Sequence, residues 1–385
     1  MDIWHGVFGQ QKVKSILAGF TKTGKIPHAM LFTGESGVGK DYIALRFISL
    51  LNALTDTLDT QPKPVSFAAP FVKYIVAYPT LKEEAKSDSD LPNSTKNEKI
   101  HKQFQEQIKE KNGNPYHKIR MDNAKEIRLF QIKEITQFLS LHYQEYPYKL
   151  VLISDADKMN EPAQNALLKN LEEPPEGFIF ILTSSAPMLL RETIRSRCWH
   201  LPFEPLTDDD ISTILQEYFD ISEDQAQIIT PFAGGSISKA LDLSQIDIEN
   251  EIEASIDFIR NSMARKFYQA QKIADPLISE FSKNKANSFK LDLFVQLIIT
   301  WLRDCESYRS SGNAFLILKG HSQSFEKFNA KYGSVDLISA SEKIEMIKYR
   351  LSENNLNTSN VFSSIMMILA GVLEPKIAKV LNYNL

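Results

Sequence analysis

The stretch LFTGESGVGKDYIALRF, Leu31 to Phe47, constrains this chain more than any other. It is a short apolar run, a glycine loop and a helix with apolar positions, in that order. Gly34, Gly39 and Lys40 keep the spacing of G-x-x-x-x-G-K-[ST], and Gly37 lies inside the loop. Glycines let the backbone turn so that successive N–H groups face a phosphate, and the helix N-terminus adds its positive end. A lysine at position 40 reaches the β- and γ-phosphates. The plainer alternative is a tight strand-to-helix turn without a ligand.

The position that should be Ser or Thr is Asp41. A neutral hydroxyl there would hold Mg²⁺. A carboxylate also ligates Mg²⁺, but it would stand beside phosphates that already carry several negative charges. Without a nucleotide, Asp41 suits the positive end of its helix. The substitution therefore favours the empty loop over the loaded one.

Two further apolar runs, KLVLI (149–153) and GFIFILTSS (177–185), read as buried strands of a parallel sheet. The first runs into Ser154-Asp155, where a Walker B strand would end in Asp-Glu. In that register the metal carboxylate has become Ser154 and the base has shortened to Asp155. Shifted by one, Asp155 is the metal carboxylate and Ala156 follows it, which leaves no base. Capping of the next turn by Asp155 and Asp157 is the bland alternative. Around these runs, helical patterns are expected over 1–30, 40–54, 124–144 and 161–173. The third of these has Ile127, Phe130, Ile135, Phe138 and Leu139 on one side. FVKYIVAYPT (71–80) reads as a strand, and the polar stretch at about 82–98 reads as a surface insertion. Thr207 or Asp208 is placed to cap a helix that opens with three acids.

Alternating strands and helices to about residue 202 predict an α/β layer with a mainly parallel sheet. Beyond it the pattern is helical to the end. The expected domains are 1–203, 204–247 (a small helical lid) and 248–385 (all-α). With 385 residues, more than one core is expected. Charge is near balance, at −4, so no global basic bias points to nucleic acid. The two cysteines, Cys198 and Cys305, are too far apart in sequence for a C-x-x-C site and build no disulfide framework. The first residues lack the pattern of a signal peptide, and no apolar run is long enough for a bilayer. A cytoplasmic location and no membrane contact are expected.

NALLKNLEEPP (165–175), a strand, and then TIRSRC (193–198) closely resemble the gamma/tau and delta-prime clamp-loader subunits of bacterial DNA polymerase III, in the AAA+ class. GQQKVKSIL (9–17) and PHAMLFTGESGVGK (27–40) match the family's opening, and the resemblance is dense from Phe8 to about Leu201 outside the insertion. It implies an AAA+, RecA-like N-terminal domain, a lid and a helical collar for oligomerisation. It also implies that Arg197 reaches across an interface to a γ-phosphate held by a neighbour, as a guanidinium fork is suited to do. A surface Arg paired with a nearby acid is the alternative. Cys198 is expected to pack as a small apolar residue. The family's sensor positions fall on Thr183 or Ser184 and, in place of the lid's Arg, on Ser238.

Asp41, the pair Ser154-Asp155 and Ser238 all depart from the hydrolytic pattern, while Arg197 remains. That combination resembles delta-prime, and the length fits one helical domain without a tail of the tau kind. The implied function is help in loading the sliding clamp onto primed DNA, without turnover by this chain. The implied partners are the gamma/tau and delta subunits, the clamp and the DNA backbone. An active gamma/tau-type ATPase and an AAA+-like scaffold outside replication are the alternatives. No cofactor is expected to be required; ATP, ADP or Mg²⁺ at the degenerate loop is left open. Zinc is not expected, because the segment after the loop's helix, where many relatives carry a four-cysteine module, has no cysteine. That segment is expected to be held by packing alone. Lys125, Arg128 and Lys133, read as lying on one helix, are candidate phosphate contacts or a solvated basic face.

Overall fold

Strands form where the apolar runs are continuous. In the computed structural model, which describes residues 4, 6–55, 66–79, 94–121, 124–140, 146–283, 288–353 and 358–373, the chain divides into two units, 1–241 and 242–385. The first unit runs α1 (Gln11–Thr23), β1 (Ala29–Thr33), α2 (Lys40–Thr55), β2 (Val72–Ile75), β3 (Tyr78–Pro79), α3 (Ser94–Gly113), β4 (Ala124–Glu126), α4 (Leu129–Leu139) and β5 (Lys149–Ile153). It continues through α5 (Glu161–Glu172), β6 (Phe178–Ser184), α6 (Glu192–Arg195), β7 (Trp199–Pro202), α7 (Asp208–Phe219), α8 (Glu223–Ala233) and the start of α9 (Ile237–Ser244).

Five strands make one parallel sheet in the order β2-β5-β6-β1-β7. Every residue of β1 and β6 is buried, as a strand covered on both faces requires. One layer of the core joins Val151, Ile153, Phe180 and Leu182 from the sheet to Ile132, Ile135 and Leu167 from α4 and α5. This is an α/β layer built on a parallel sheet, as the sequence leads one to expect for the first domain. Because all five strands run the same way, the residues after β1, β5 and β6 emerge together at one edge. β1 lies between the fourth and the last strand of the sheet in chain order, so its carboxyl end is a topological switch point, where α/β sheets hold ligands.

Local caps explain several boundaries. Asn160 accepts from the Ala163 N–H at 3.0 Å and starts α5, with Pro162 in its first turn. Of the two residues placed to cap α7, Thr207 does so, accepting from the Asp210 N–H at 3.1 Å.

Some expected elements change. The helix expected over 1–30 is Gln11–Thr23, closed by Gly24 in the left-handed region. Residues 124–126 are a strand paired antiparallel with β3, so the next helix begins only at Leu129. The Ile127 N–H donates to the Lys158 carbonyl at 2.9 Å, which holds this stretch extended. The polar insertion at about 82–98 lies outside the described residues up to 93, and its last residues open α3, a helix not anticipated from the sequence.

The second unit is helical: α10 (Ile248–Met263), α11 (Phe267–Lys283), α12 (Ser288–Ser311), α13 (Ser322–Tyr332), α14 (Leu337–Glu353) and α15 (Thr358–Val372), with α9 crossing into it. Phe258, Phe294 and Phe362 meet at its centre with ring centroids 5.5–5.9 Å apart. The stretch 251–275, which reads as one helix, is two. Arg265 takes a φ of 58° and the Lys266 N–H turns back to the Asn261 carbonyl at 2.8 Å. The apolar stripe of α12 (Leu293 to Leu302) is buried in this bundle apart from Gln296. Among the described residues, no helix is long and apolar enough to cross a membrane.

Candidate functional site

The loop between β1 and α2 has the turn its glycines allow: Gly34, Gly37 and Gly39 take φ of 141°, 82° and 89°. Lys40 is buried, and its ammonium donates to the loop's own Gly34 and Glu35 carbonyls at 2.7 and 2.6 Å. Burial pushes its pKa down, against the raising effect of Asp41 and Asp155.

Asp41 sits in the first turn of α2 and is met from four sides. Tyr74 donates to its Oδ2 at 2.7 Å and Ser154 to the same oxygen at 2.8 Å. Thr183 donates to Oδ1 at 3.1 Å. The Lys111 ammonium, from the last turn of α3, stands 3.5 Å from Oδ2. The residues read from the sequence as Walker B and sensor positions, Ser154 and Thr183, are thus both hydrogen-bonded to Asp41 of the loop.

Asp155 does not cap its turn; it adopts a φ of 51° and no side-chain cap bond forms. Lys158 donates to its carboxylate at 2.8 Å and the Lys118 ammonium lies at 3.4 Å. Burial opposes ionisation, but the two lysines outweigh it and hold this carboxyl at about 2. Its backbone N–H donates to Thr183 at 3.2 Å. Lys118 also donates to the Ser36 hydroxyl at 2.8 Å, which ties the glycine loop to the same cluster. Ser184 donates to Asp157 at 2.5 Å rather than joining Asp41.

The start of α9 lies directly on the loop. Ser236 donates to the Ser36 carbonyl at 2.6 Å. A Cβ on Gly37 would come within 2.5 Å of the Ser238 nitrogen and 2.8 Å of its hydroxyl. Ser238 therefore covers Gly37, where the sequence reading has it stand for a sensor arginine. Tyr116, in the loop after α3, covers Gly39 and accepts from the Phe8 N–H at 3.1 Å.

These residues do not fit a magnesium nucleotide. The carboxylate that would meet the metal already faces an ammonium and three hydroxyl donors. The loop lysine is turned onto loop carbonyls, and Ser238 leaves no room above Gly37. Among the described residues, no group of three or more His, Cys, Asp or Glu side chains could hold a metal ion. The described part of the segment after α2 is held by more than packing, because the Phe67 N–H donates to the Asn112 side chain at 2.9 Å.

Arg197 lies away from this cluster on the exposed turn after α6. Its guanidinium pairs with Glu172 at 2.7 Å and donates to the Thr193 carbonyl at 2.9 Å. Cys198 is buried in the core and burial pushes its thiol up to about 12, so it packs rather than reacts. Lys125, Arg128 and Lys133 do not share a helix: Lys125 is on β4, Arg128 precedes α4 and Lys133 is inside it.

Lys111, Tyr74, Tyr116 and Lys118 were not anticipated from the sequence. One signal for α3 was present, in Ile100, Phe104 and Ile108 at helical spacing ahead of Lys111.

A model of the family described as DNA polymerase III, delta subunit, matches residues 80–207. The chain is 26% identical over 259 residues to a DNA polymerase III subunit delta' of Haemophilus influenzae, covering 67% of this chain and 74% of that one. It is 29% identical over 243 residues to a subunit gamma of Buchnera aphidicola, covering 62% of this chain and little more than half, 56%, of that one. A solved gamma-subunit-related protein of Thermotoga maritima aligns over 92% of this chain and 99% of its own at 15% identity, with a TM-score of 0.39 that is too low to bear on the fold. The Ser196-Arg197-Cys198 turn lies inside residues 80–207, and the chain is similar to clamp-loader subunits of DNA polymerase III.

Proposed function

We propose that this chain is a delta-prime-type subunit of the clamp loader. It does not hydrolyse ATP itself; it supplies Arg197 to the nucleotide held by a neighbouring gamma/tau subunit. The observation that carries the reading is the saturation of Asp41 by Tyr74, Ser154, Thr183 and Lys111 at the position of the metal-bound hydroxyl. A carboxylate committed to four internal partners is not available to a metal, and no second carboxylate stands at Ser154 to replace it. Arg197, by contrast, is exposed and, among the described residues, its guanidinium is held by a surface acid and a carbonyl. A permanently charged fork at an exposed turn suits recognition of a phosphate across an interface. The sliding clamp and primed DNA are the partners that follow from this role.

The competing reading is an active gamma-type ATPase, and the comparable identity to gamma subunits favours it. It requires Asp41 to release Lys111 and take up Mg²⁺. An ATP titration of the purified chain with and without Mg²⁺, followed by a turnover assay, separates the two. No binding and no turnover are expected. The second half of the test is Arg197→Ala in a complex reconstituted with gamma/tau and delta subunits. DNA-stimulated ATP turnover is expected to fall at least ~10-fold, since a trans-acting arginine contributes on the order of 10³ or more at a single site. Turnover by the isolated chain, or an unaffected Arg197→Ala complex, would overturn the proposal.

A further inference from the structure

Asp41 has a cation of its own. The Lys111 side chain is 5% exposed, and its ammonium is enclosed by the Asp41 carboxylate at 3.5 Å, the His117 carbonyl at 2.8 Å and the face of Phe67, whose centroid is 5.0 Å away. An ammonium taken out of water this completely is costly without a carboxylate partner, and the same holds for Asp41 in reverse. Burial indeed pushes the Lys111 pKa down, with Asp41 opposing the shift.

We infer that Lys111 is the resident cation of this phosphate loop: its ammonium takes the place of the divalent metal and, by pairing with Asp41, cross-links α3 to α2. The inference rests on the reading of the loop as one without turnover, and it goes further by naming the group that closes it. Asp41 and Lys111 are two halves of one exchange. In an intact loop a neutral hydroxyl meets a metal that arrives with the nucleotide. Here the hydroxyl has become a carboxylate and the cation is built into the chain. Mg²⁺ requires an octahedral set of oxygens at ~2.0–2.1 Å. Three hydroxyls already donate to Asp41, and the Lys111 ammonium stands 3.5 Å from the oxygen that two of them share. The pair also fixes the last turn of α3, from which Asn112 holds Phe67 and the following loop places Tyr116 over Gly39.

The test is a thermal-unfolding cycle on the full chain with Lys111→Met, Asp41→Asn and the double variant, each with and without millimolar MgCl₂. Lys111→Met alone leaves a buried carboxylate without its cation, so its Tm is expected to fall further than that of the double variant, by at least ~3 °C. Added Mg²⁺ is expected to raise the Tm of Lys111→Met and to leave the wild type unchanged. Should Lys111→Met fail to fold while the double variant folds, the same conclusion holds. Additive losses in the cycle, equal stabilisation of wild type and Lys111→Met by Mg²⁺, or a double variant that also fails to fold would each overturn it. Additive losses without ATP turnover would sink this inference alone, whereas Mg²⁺-dependent turnover by the wild-type chain would sink the proposed function with it.

Discussion

Asp155 is held between Lys158 and Lys118, which keep its carboxyl at about 2 against an ordinary value of 3.8. A folded-state pKa below the unfolded one stabilises the protein above pH 4, and that contribution is lost as the pH falls towards 2. The shift corresponds to about 2 kcal/mol. Asp155→Asn is therefore expected to be less stable than wild type by about that amount at pH 7. The gap should close as acid protonates the wild-type carboxyl. Denaturant unfolding at a series of pH values checks this; a gap that persists at pH 2 would refute it. Thr183 has two duties, donating to Asp41 and accepting from the Asp155 N–H. Thr183→Val keeps the shape and loses both, so a loss of about 1–2 kcal/mol is expected by the same unfolding measurement. Residue identities at 41, 154 and 238 are legible in the sequence as departures from a hydrolytic pattern. Their partners are not. Tyr74, Ser154 and Thr183 reach Asp41 across 33, 113 and 142 residues, and no local spacing encodes such a meeting.

At the scale of elements, α9 and the glycine loop are fitted to each other at Gly37. A side chain there meets the backbone of Ser238 at 2.5 Å, and the φ of 82° is one that L-residues rarely adopt. Gly37→Ala is expected to destabilise the first unit by about 2 kcal/mol or more, from strain and lost packing together. Hydrogen exchange should locate the damage at residues 236–240 and leave β5 and β6 protected; uniform loss of protection would show that the loop and α9 do not form a local contact of this kind. Which elements could be read in advance follows from what buries them. β1, β5 and β6 are covered on both faces, so their sequences are unbroken apolar runs. α5 carries its own cap and first-turn proline. β4 and β7 were missed because they have no such run: β4 is Ala-Lys-Glu, extended by its pairing with β3 and by the Ile127 bond, and β7 lies at the edge of the sheet with three of its four residues exposed. α3 is highly polar, and its few apolar positions are hidden among lysines and glutamines.

For the whole molecule the proposed role depends on Arg197 changing partners. In the isolated chain its guanidinium is paired with Glu172 at 2.7 Å, with the two side chains 36% and 48% exposed. Exposed pairs of this kind contribute about 0–1 kcal/mol, so Glu172 is a weak competitor for the arginine and not a structural support. In an assembly that offers a neighbour's phosphate, Arg197 must leave Glu172 to reach it. Glu172→Gln removes the competing charge and keeps the side chain's size. ATP turnover by the reconstituted complex is expected to rise about 2-fold, the equivalent of a few tenths of a kcal/mol. The Tm of the isolated chain should stay within ~1 °C, as for other exposed pairs. In the Arg197→Ala background the same change should do nothing, because there is no guanidinium left to release. A turnover gain of equal size in both backgrounds would mean that Glu172 acts on the complex without Arg197, and the link between this surface pair and a neighbour's nucleotide would fail.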